Sequence, residues 1–210
     1  MTFSIMATDP VKNQIGYAVA SKTFYVGVIG FSEPGLGAVL CQGETNFDNG
    51  PKILGLIRRG KTLQQIVEQL RREDPRIEEQ QLGIVDWTGN VIAYTGKNCD
   101  EWAGHLTFEG YVCLGNILTG REVLNSMSKT YKSSKGLMAE RLVNALLAAD
   151  AVGGDRRGKQ SASIKLVSPR SGFNGSDTLL DLNIYDHVEP VIELARITKI
   201  ALEYLKVLNA

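Results

Sequence analysis

The sequence predicts an α+β protein in which two antiparallel sheets are covered by helices on their outer faces, a four-layer αββα sandwich. Segments with the alternation of strands stand apart from segments with helical spacing. Their order along the chain is β, α, α, β, α, α, β, α, which favours antiparallel sheets over a parallel, doubly wound sheet. Because no repeat or low-complexity linker interrupts the sequence, residues 1–210 are predicted to form one domain.

Composition and charge narrow the functional classes. Apolar residues make up 43% of the chain and charged residues 22%, the ordinary proportions of a globular protein. The 23 basic residues equal the 23 acidic residues, so no long-range field attracts nucleic acid or an anionic membrane. We therefore expect neither as a partner.

The cysteines and the N-terminus indicate the cellular compartment of the protein. Three scattered cysteines are too few for a disulfide framework and lack the spacing of a zinc site. The start MTFSIMATDP does not have the pattern of a signal peptide, and no apolar run reaches the roughly 18 residues of a membrane helix. We expect a cytoplasmic protein whose mature chain begins at Met1 or Thr2.

Four segments near the N-terminus alternate between apolar and polar residues and predict strands. They are FSIMAT, QIGYAVAS, VGVIGF and GAVLCQ. Glycines punctuate this region, as expected where strands bend or approach another backbone closely. We expect the four strands to form one antiparallel meander.

After Asn46 the apolar residues are spaced as in an amphipathic helix. Ile53 and Ile57 share one helical face, and apolar residues between 63 and 70 share another. Thr62 is placed to cap the second helix, and Pro75 prevents its continuation. Two helices therefore follow the first strands.

The second half of the chain repeats this alternation of strands and helices. QLGIVD and NVIAYT predict a hairpin, which HLTFEGYVCLGN extends into a second sheet. Helices are predicted over 121–131 and 137–151, then strands SASIKLV and TLLDLNIYD, and a final helix from Glu189. The apolar band of this last helix is too wide for one core-facing stripe, so we expect a homo-oligomer, a dimer or higher.

Thr2 is the candidate nucleophile. Its small side chain permits methionine aminopeptidase to remove Met1, which would leave a threonine with a free α-amine. The hydroxyl is a weak nucleophile at neutral pH, whereas an α-amine with a pKa of about 8 can act as its base. Nucleophile and base would then belong to one residue.

Ser21 and Lys22 are candidates for the surroundings of Thr2. They end the predicted second strand, which pairs with the first in a hairpin. A hydroxyl and an ammonium would then lie near Thr2, and the cation would lower the pKa of the α-amine. The alternative is a plain strand end followed by a solvated lysine.

These residues resemble known families. The start TFSIMATD followed by GYAVASKTFYVG resembles the proteasome β-subunit and its bacterial relative, in which an N-terminal threonine opens a similar hairpin. The uncharacterised DUF1028 family, placed with the N-terminal-nucleophile hydrolases, is a closer resemblance and implies an amide-bond hydrolase with Thr2 as nucleophile. The motifs run in order over nearly the whole chain: MTFSI, VASK, QGETN, GIVDWTGNVIAYTGKNC, WAGH, GYVCLGN, GGDRRGKQSA and DLNIYDH.

The resemblance implies further site residues. The helix ending in AADAVGGD is similar to the segment that brings an aspartate towards the nucleophile, which nominates Asp155, and Ser161 follows on the next strand. Both would hold the α-amine through hydrogen bonds. Lys22 would stand in for the active-site lysine of the proteasome, although it comes earlier in the chain.

Two asparagines are candidates for stabilising the oxyanion of a tetrahedral intermediate. Such an intermediate needs preorganised donors, either backbone N–H groups or an asparagine amide. Asn46 in QGETN and Asn116 in LGN fit this need. Each fits a turn or a cap equally well, which is the commoner use of asparagine beside glycine.

Two functions remain open at this point. The first is hydrolysis of a small amide or cyclic amide by Thr2, which needs no metal and no cofactor; His105 and His187 lack the paired spacing of a zinc site. The second is a non-catalytic ligand-binding or scaffold protein with the same fold. A retained Met1 would favour the second, because it would block the α-amine.

Overall fold

The computed structural model describes residues 2–208, which contain ten strands and five α-helices. The strands are β1 (Thr2–Asp9), β2 (Gln14–Ser21), β3 (Gly30–Glu33), β4 (Gly37–Gly43), β5 (Gln80–Asp86), β6 (Val91–Thr95), β7 (Gly104–Phe108), β8 (Tyr111–Asn116), β9 (Ser161–Val167) and β10 (Thr178–Ile184). The helices are α1 (Asn49–Arg58), α2 (Leu63–Glu73), α3 (Glu122–Ser133), α4 (Met138–Ala151) and α5 (Pro190–Leu208).

The strands form two antiparallel sheets. The larger sheet has the order β10-β9-β2-β1-β8-β7, and the smaller sheet has the order β3-β4-β5-β6. Three apolar clusters hold the sandwich together. One lies between the larger sheet and α3, α4 and α5 and includes Phe3 and Leu142; the second lies between the sheets and includes Met6 and Leu40; the third joins the smaller sheet to α1 and α2. The prediction of two antiparallel sheets combined with helices is confirmed.

The chain crosses between the sheets earlier than the sequence predicts. The predicted single meander is wrong, because β1 and β2 belong to the larger sheet and β3 and β4 to the smaller one. After β2, Tyr25 is left-handed with a φ of 51°, and a 3-10 turn spans Val26–Ile29. The Tyr17 hydroxyl lies 3.3 and 3.1 Å from the carbonyl oxygens of Gly27 and Gly30. A Cβ at Gly30 would lie 2.1 Å from the Tyr17 ring, so the crossing requires glycine there.

The prediction that β5 to β8 form a second sheet is also wrong. β5 and β6 extend the smaller sheet, whereas β8 pairs with β1 and brings β7 into the larger sheet. Alternation identifies a strand and its faces but does not identify the neighbouring strand. The β1–β8 pairing sets Asn116 opposite Thr2.

Thr62 caps α2 as predicted. Its hydroxyl accepts a hydrogen bond from the Gln65 N–H at 3.2 Å, and the Gln65 side chain accepts one from the Thr62 N–H at 3.1 Å. This reciprocal pair satisfies two N–H groups that the helix itself leaves unpaired.

α5 has one side in the core and one side exposed. Its exposed large apolar residues are Ile192, Ile200 and Tyr204. They are compatible with self-association, which stays a prediction. Within residues 2–208, neither α5 nor any other helix is long and apolar enough to cross a bilayer.

Asp74 binds the loop between β4 and α1 to the smaller sheet. Its Oδ2 accepts hydrogen bonds from the side-chain amides of Asn46, Asn49 and Gln80 at 2.9, 3.0 and 2.9 Å, and its Oδ1 accepts one from the Arg76 N–H at 3.0 Å. Burial acts to raise the pKa of Asp74, but these hydrogen bonds outweigh it and lower the pKa from 3.8 to about 2. The ionised carboxylate therefore holds the loop that carries Asn46.

Asp74→Asn should remove part of the acid sensitivity of the fold. Because the folded-state pKa is below the unfolded value, Asp74 stabilises the protein above a pH of about 4, and this stabilisation is lost as the pH falls towards about 2. We expect the thermal unfolding midpoint of the wild type to fall more steeply over this range than that of Asp74→Asn, as measured by circular dichroism. Asp48→Asn, an exposed carboxylate in the same loop, is the control and should keep the wild-type slope. Equal slopes for all three proteins would contradict the assignment.

Candidate active site

Thr2, the first residue of β1, lies in a row of polar residues across one end of the larger sheet. Thr2 is the register partner of Asn116 on β8, and Ser21 on β2 is the register partner of Ser161 on β9. Since β1 lies between β2 and β8, the row runs Ser161, Ser21, Thr2, Asn116. None of the four residues is more than 4% exposed.

The row faces the smaller sheet. Side chains alternate between the two faces of a strand. In β1, Phe3 packs in the cluster on the helical side and Met6 in the cluster between the sheets, so Thr2 and Ser4 belong to the Met6 side. Ser4 Oγ indeed donates to Gln42 Oε1 on β4 at 2.9 Å. The site therefore lies where the two sheets meet.

Two serines nominated by the sequence lie in the Thr2 row. Thr2 Oγ1 donates to Ser21 Oγ at 3.5 Å, the long limit of a hydrogen bond. Ser161 Oγ accepts a hydrogen bond from the Val26 N–H at 3.0 Å and so fixes the turn that leaves β2. Their roles stay predictions, and Met1, whose removal would free the amine, lies outside the described residues.

Asp155 ties the residue after Ser21 to the loop after α4. Its carboxylate is 1% exposed and accepts hydrogen bonds from the Lys22 N–H at 2.8 Å and from Arg157 Nη2 at 3.1 Å. Lys22 takes part in this contact through its backbone. Its side chain is exposed, and Nζ donates to the carbonyl oxygen of Lys159 at 3.1 Å.

A left-handed residue ends β8 directly after Asn116. Ile117 has a φ of 47°, which is rare for a β-branched residue. Its N–H donates to the Asp100 carbonyl at 3.0 Å, and its own carbonyl accepts from the Arg156 N–H at 3.1 Å. Backbone strain of this kind concentrates at functional sites, and here it directly follows the polar row.

Buried amides from the smaller sheet support Asn116. Asn116 Nδ2 and Gln42 Nε2 both donate to Gln81 Oε1, at 3.1 and 2.6 Å. Gln81 Nε2 is 2.9 Å from each of the carbonyl oxygens of Gly104 and Gly115. Gln42 and Gln81 are 1% and 0% exposed. The network joins the two sheets at the end where β1 begins.

A cavity of about 300 Å³ opens beside Asn116. This cavity, called the acidic cavity below, is lined by Gly43, Glu44, Glu79, Asn98, Asp100, Asn116 and Ile117. The volume suits a small ligand. Asn116 therefore belongs both to the Thr2 row and to the cavity wall.

Asn46 lies outside the row of polar residues that contains Thr2. Its Nδ2 donates to Asp74 at 2.9 Å, and its Oδ1 accepts a hydrogen bond from the Asp48 N–H at 3.1 Å. The second contact is typical of a turn, which is the alternative role that the sequence offers for Asn46. It lines a second cavity of about 360 Å³, which shares only Glu44 with the acidic cavity among the described residues that line them.

The sequence alone does not identify Gln42 and Gln81 as residues that support the candidate site. The available signal is a polar residue at the end of an otherwise apolar strand, in GAVLCQ and in QQLGIVD. A buried amide must find hydrogen-bond partners. The sequence does not reveal which strand supplies them, because sheet membership is itself not evident.

The fold and the polar row define an α+β sandwich protein whose candidate site is built around the start of β1. Residues 2–194 match a family described as "Family of unknown function (DUF1028)", and the chain belongs to this family. It is also similar to the crystal structure of protein SPO2555 from Silicibacter pomeroyi, itself described with DUF1028, with a TM-score of 0.87 and 28% identity over 95% of this chain and 85% of that one. A comparison with curated proteins finds no significant match.

Gln81→Leu should destabilise the fold. The substitution removes the partner of two donors, on Asn116 and Gln42, and of the Gly104 and Gly115 carbonyls. Each buried polar group left unpaired costs roughly 1–3 kcal/mol, so we expect a loss of roughly 2–5 kcal/mol in the free energy of unfolding, measured by urea denaturation.

Gln64→Leu is the matched control for this experiment. Gln64 is exposed on α2, and its replacement should change the free energy of unfolding by less than about 0.5 kcal/mol. An equally small effect of Gln81→Leu would contradict the supporting role of the network.

Proposed function

We propose that this protein is an N-terminal-nucleophile hydrolase that cleaves a small amide or cyclic amide with Thr2. The observation that carries the proposal is the buried row in which Thr2, at the start of an inner strand, lies between Ser21 and Asn116. A hydroxyl whose own α-amine is its base needs only to be held in place and shielded from bulk water. Removal of Met1 is part of the proposal, because it frees the amine.

The reaction has two steps. Thr2 Oγ1 attacks the amide carbonyl carbon while the α-amine takes the hydroxyl proton and passes it to the leaving nitrogen, so that the C–N bond breaks and the acyl group remains on Thr2 as an ester. Water then attacks this ester, with the α-amine again accepting a proton. Return of that proton to Oγ1 releases the carboxylic acid and restores the free residue.

Ser21, Asp155 and Ser161 are positioning residues in this mechanism. Ser21 Oγ, 3.5 Å from Thr2 Oγ1, orients the nucleophile. Asp155 holds the chain after Ser21 through the Lys22 N–H, and Ser161 holds the following turn. We assign the exposed ammonium of Lys22 only a weak influence on the α-amine, because solvent screens it.

Asn116 is the better of the two oxyanion candidates. Its Nδ2 carries two hydrogens, and one is donated to Gln81 at 3.1 Å. The other is available to negative charge that develops on the substrate carbonyl oxygen. Asn46 is not assigned this role, because its amide binds Asp74.

The architecture supports the same class of protein. Two helices against one sheet and three against the other correspond to the four-layer arrangement that the proteasome resemblance implies. With that class we propose a cytoplasmic location and self-association through the exposed side of α5, at Ile192, Ile200 and Tyr204.

The test is a comparison of Thr2→Ala with Thr8→Ala in protein coexpressed with methionine aminopeptidase. Thr8 lies on the same strand and the same face as Thr2 but at the other end of β1. We expect Thr8→Ala to keep the wild-type rate on a panel of small acyl amides, and Thr2→Ala to lose at least about a thousandfold, with the released amine measured. Thr2→Ser, which keeps a hydroxyl, should retain activity.

Two results would contradict the hydrolase. One is Thr2→Ala hydrolysing the panel as fast as Thr8→Ala does. The other is no amide hydrolysis by protein whose Thr2 is free, which would favour the non-catalytic binding protein.

A further inference from the structure

His105 joins the edge strands of the two sheets. It lies on β7, at the edge of the larger sheet, and its Nδ1 is 2.8 Å from Thr95 Oγ1 on β6, at the edge of the smaller sheet. The register partner of His105 is Leu114, which packs between the sheets, so the imidazole is on the same side of its sheet. The contact is therefore a polar bridge from one sheet to the other.

A chain of hydrogen bonds runs from His105 to Asn116. Thr95 Oγ1 accepts from Gln81 Nε2 at 2.8 Å, and Gln81 Oε1 accepts from Asn116 Nδ2 at 3.1 Å. Gln81 is fully buried, and its amide group is planar, so a displacement of Nε2 also moves Oε1. The chain ends beside Thr2, the register partner of Asn116.

Hydrogen-bond chemistry determines the direction of these bonds. The carbonyl oxygens of Gly104 and Gly115 can only accept, so the Gln81 atom 2.9 Å from both is the donor Nε2. Thr95 Oγ1 therefore accepts from Gln81, and within residues 2–208 the only other partner of its hydroxyl is His105 Nδ1. The Thr95 hydroxyl hydrogen has an acceptor there only when His105 is neutral, with its own hydrogen on Nε2.

Protonation of His105 reverses the first bond of the chain. The imidazolium has a hydrogen on both ring nitrogens, so Nδ1 becomes a donor to Thr95 Oγ1. Oγ1 then receives hydrogen bonds from both His105 and Gln81. Gln81 Nε2 already shares two hydrogens among three acceptors, so competition at Thr95 shifts its balance towards the two carbonyl oxygens. The oxygen of the same amide, which is the partner of Asn116, moves with it.

The face of the sheets around His105 is uncharged. His105 is exposed, yet burial of part of its ring lowers its pKa from the ordinary value of 6.5, and no charged group within residues 2–208 contributes to this shift. α3 packs on the opposite face of β7, towards which Leu106 points. Charged residues next to the ends of β6 and β7 are exposed: Lys97, Glu101 and Glu109. The residues of β6 and β8 on the face towards His105 do not titrate: Val91, Ala93, Thr95, Val112, Leu114 and Asn116.

We infer that His105 is a positioning residue of the hydrolase, whose neutral ring orients the amide of Asn116 through Thr95 and Gln81. An oxyanion donor acts only when it is already aimed at the developing charge. The inference deepens the proposed function and rests on it, since Asn116 is the proposed donor. It gives the site a pH dependence separate from that of the Thr2 α-amine, whose ordinary pKa is about 8.

Side-chain amide signals in the NMR spectrum test the coupling without any substrate. In ¹⁵N-labelled protein, the signals of Gln81 Nε2 and Asn116 Nδ2 should follow the titration of the His105 ring as the pH falls below about 6.5. Thr95→Val keeps the charge on His105 but removes the linking hydroxyl, so the shift at Asn116 should disappear. His187→Asn, at the second of the two histidines, is the control and should keep the wild-type shifts. A signal of Asn116 that does not follow His105, or that still follows it in Thr95→Val, would overturn the inference.

The pH dependence of hydrolysis is the second measurement. His105→Leu offers no acceptor to Thr95, whereas His105→Asn offers an oxygen near the position of Nδ1 and does not titrate. We expect His105→Leu to lower kcat about tenfold with little change in KM, and His105→Asn to restore most of the loss at about pH 7.5.

The ratio of the wild-type kcat to that of His105→Asn isolates the contribution of His105. Protonation of the α-amine affects both proteins equally and cancels in the ratio. We expect the ratio to fall about tenfold between about pH 7.5 and about pH 5, because only the wild type forms the imidazolium. A ratio that does not change with pH would also overturn the inference.

Failure of this inference and failure of the hydrolase proposal give different results. The amide shifts do not depend on the Thr2 hydroxyl. Their presence in protein that has a free Thr2 but hydrolyses no amide would support the coupling of His105 to Asn116 and contradict the hydrolase. Conversely, hydrolysis that requires Thr2 but shows a constant ratio would support Thr2 and remove His105 from the mechanism.

Discussion

β1 is hydrogen-bonded along both edges, and the site depends on this double pairing. Pairing with β2 brings Ser21 to Thr2, and pairing with β8 brings Asn116. Terminal residues usually fray unless they are tied into a sheet. Here the second residue of the chain is 4% exposed and is held from two sides. For the nucleophile that we propose, such fixing would orient the hydroxyl.

The second constraint is the buried amide network between the sheets. In a low-dielectric interior a satisfied network fixes side-chain orientations, whereas a missing partner is strongly unfavourable. Gln81 meets this condition by donating to fixed carbonyl oxygens and accepting from Gln42 and Asn116. One end of the network, Asn116, lies at the wall of the acidic cavity. The same set of hydrogen bonds that stabilises the sandwich therefore also fixes the orientation of the Asn116 side chain.

Local features of the fold were largely predictable from sequence. QIGYAVAS and SASIKLV coincide with β2 and β9, and Thr62 caps α2, because alternation and capping are properties of contiguous residues. The distribution of strands between sheets was not predictable, because it depends on the crossing at Gly30 and on the return of β8 to β1. The chemistry of hydroxyls and amides nominates Ser21 and Asn116 from the sequence, whereas Asp155 and Ser161 are nominated only by the family resemblance. The roles of Gln42 and Gln81 emerge from partners distant in sequence, which no local pattern contains.

We propose that Thr2 acts with its own α-amine, and the first measurement to make is the mass of the intact protein from its native host. We expect a mass smaller by one methionine residue than that of the full sequence, with Thr2 as the first residue in the fragmentation spectrum. A fully retained Met1 would contradict this mechanism, since Thr2 would then have no free α-amine beside its hydroxyl.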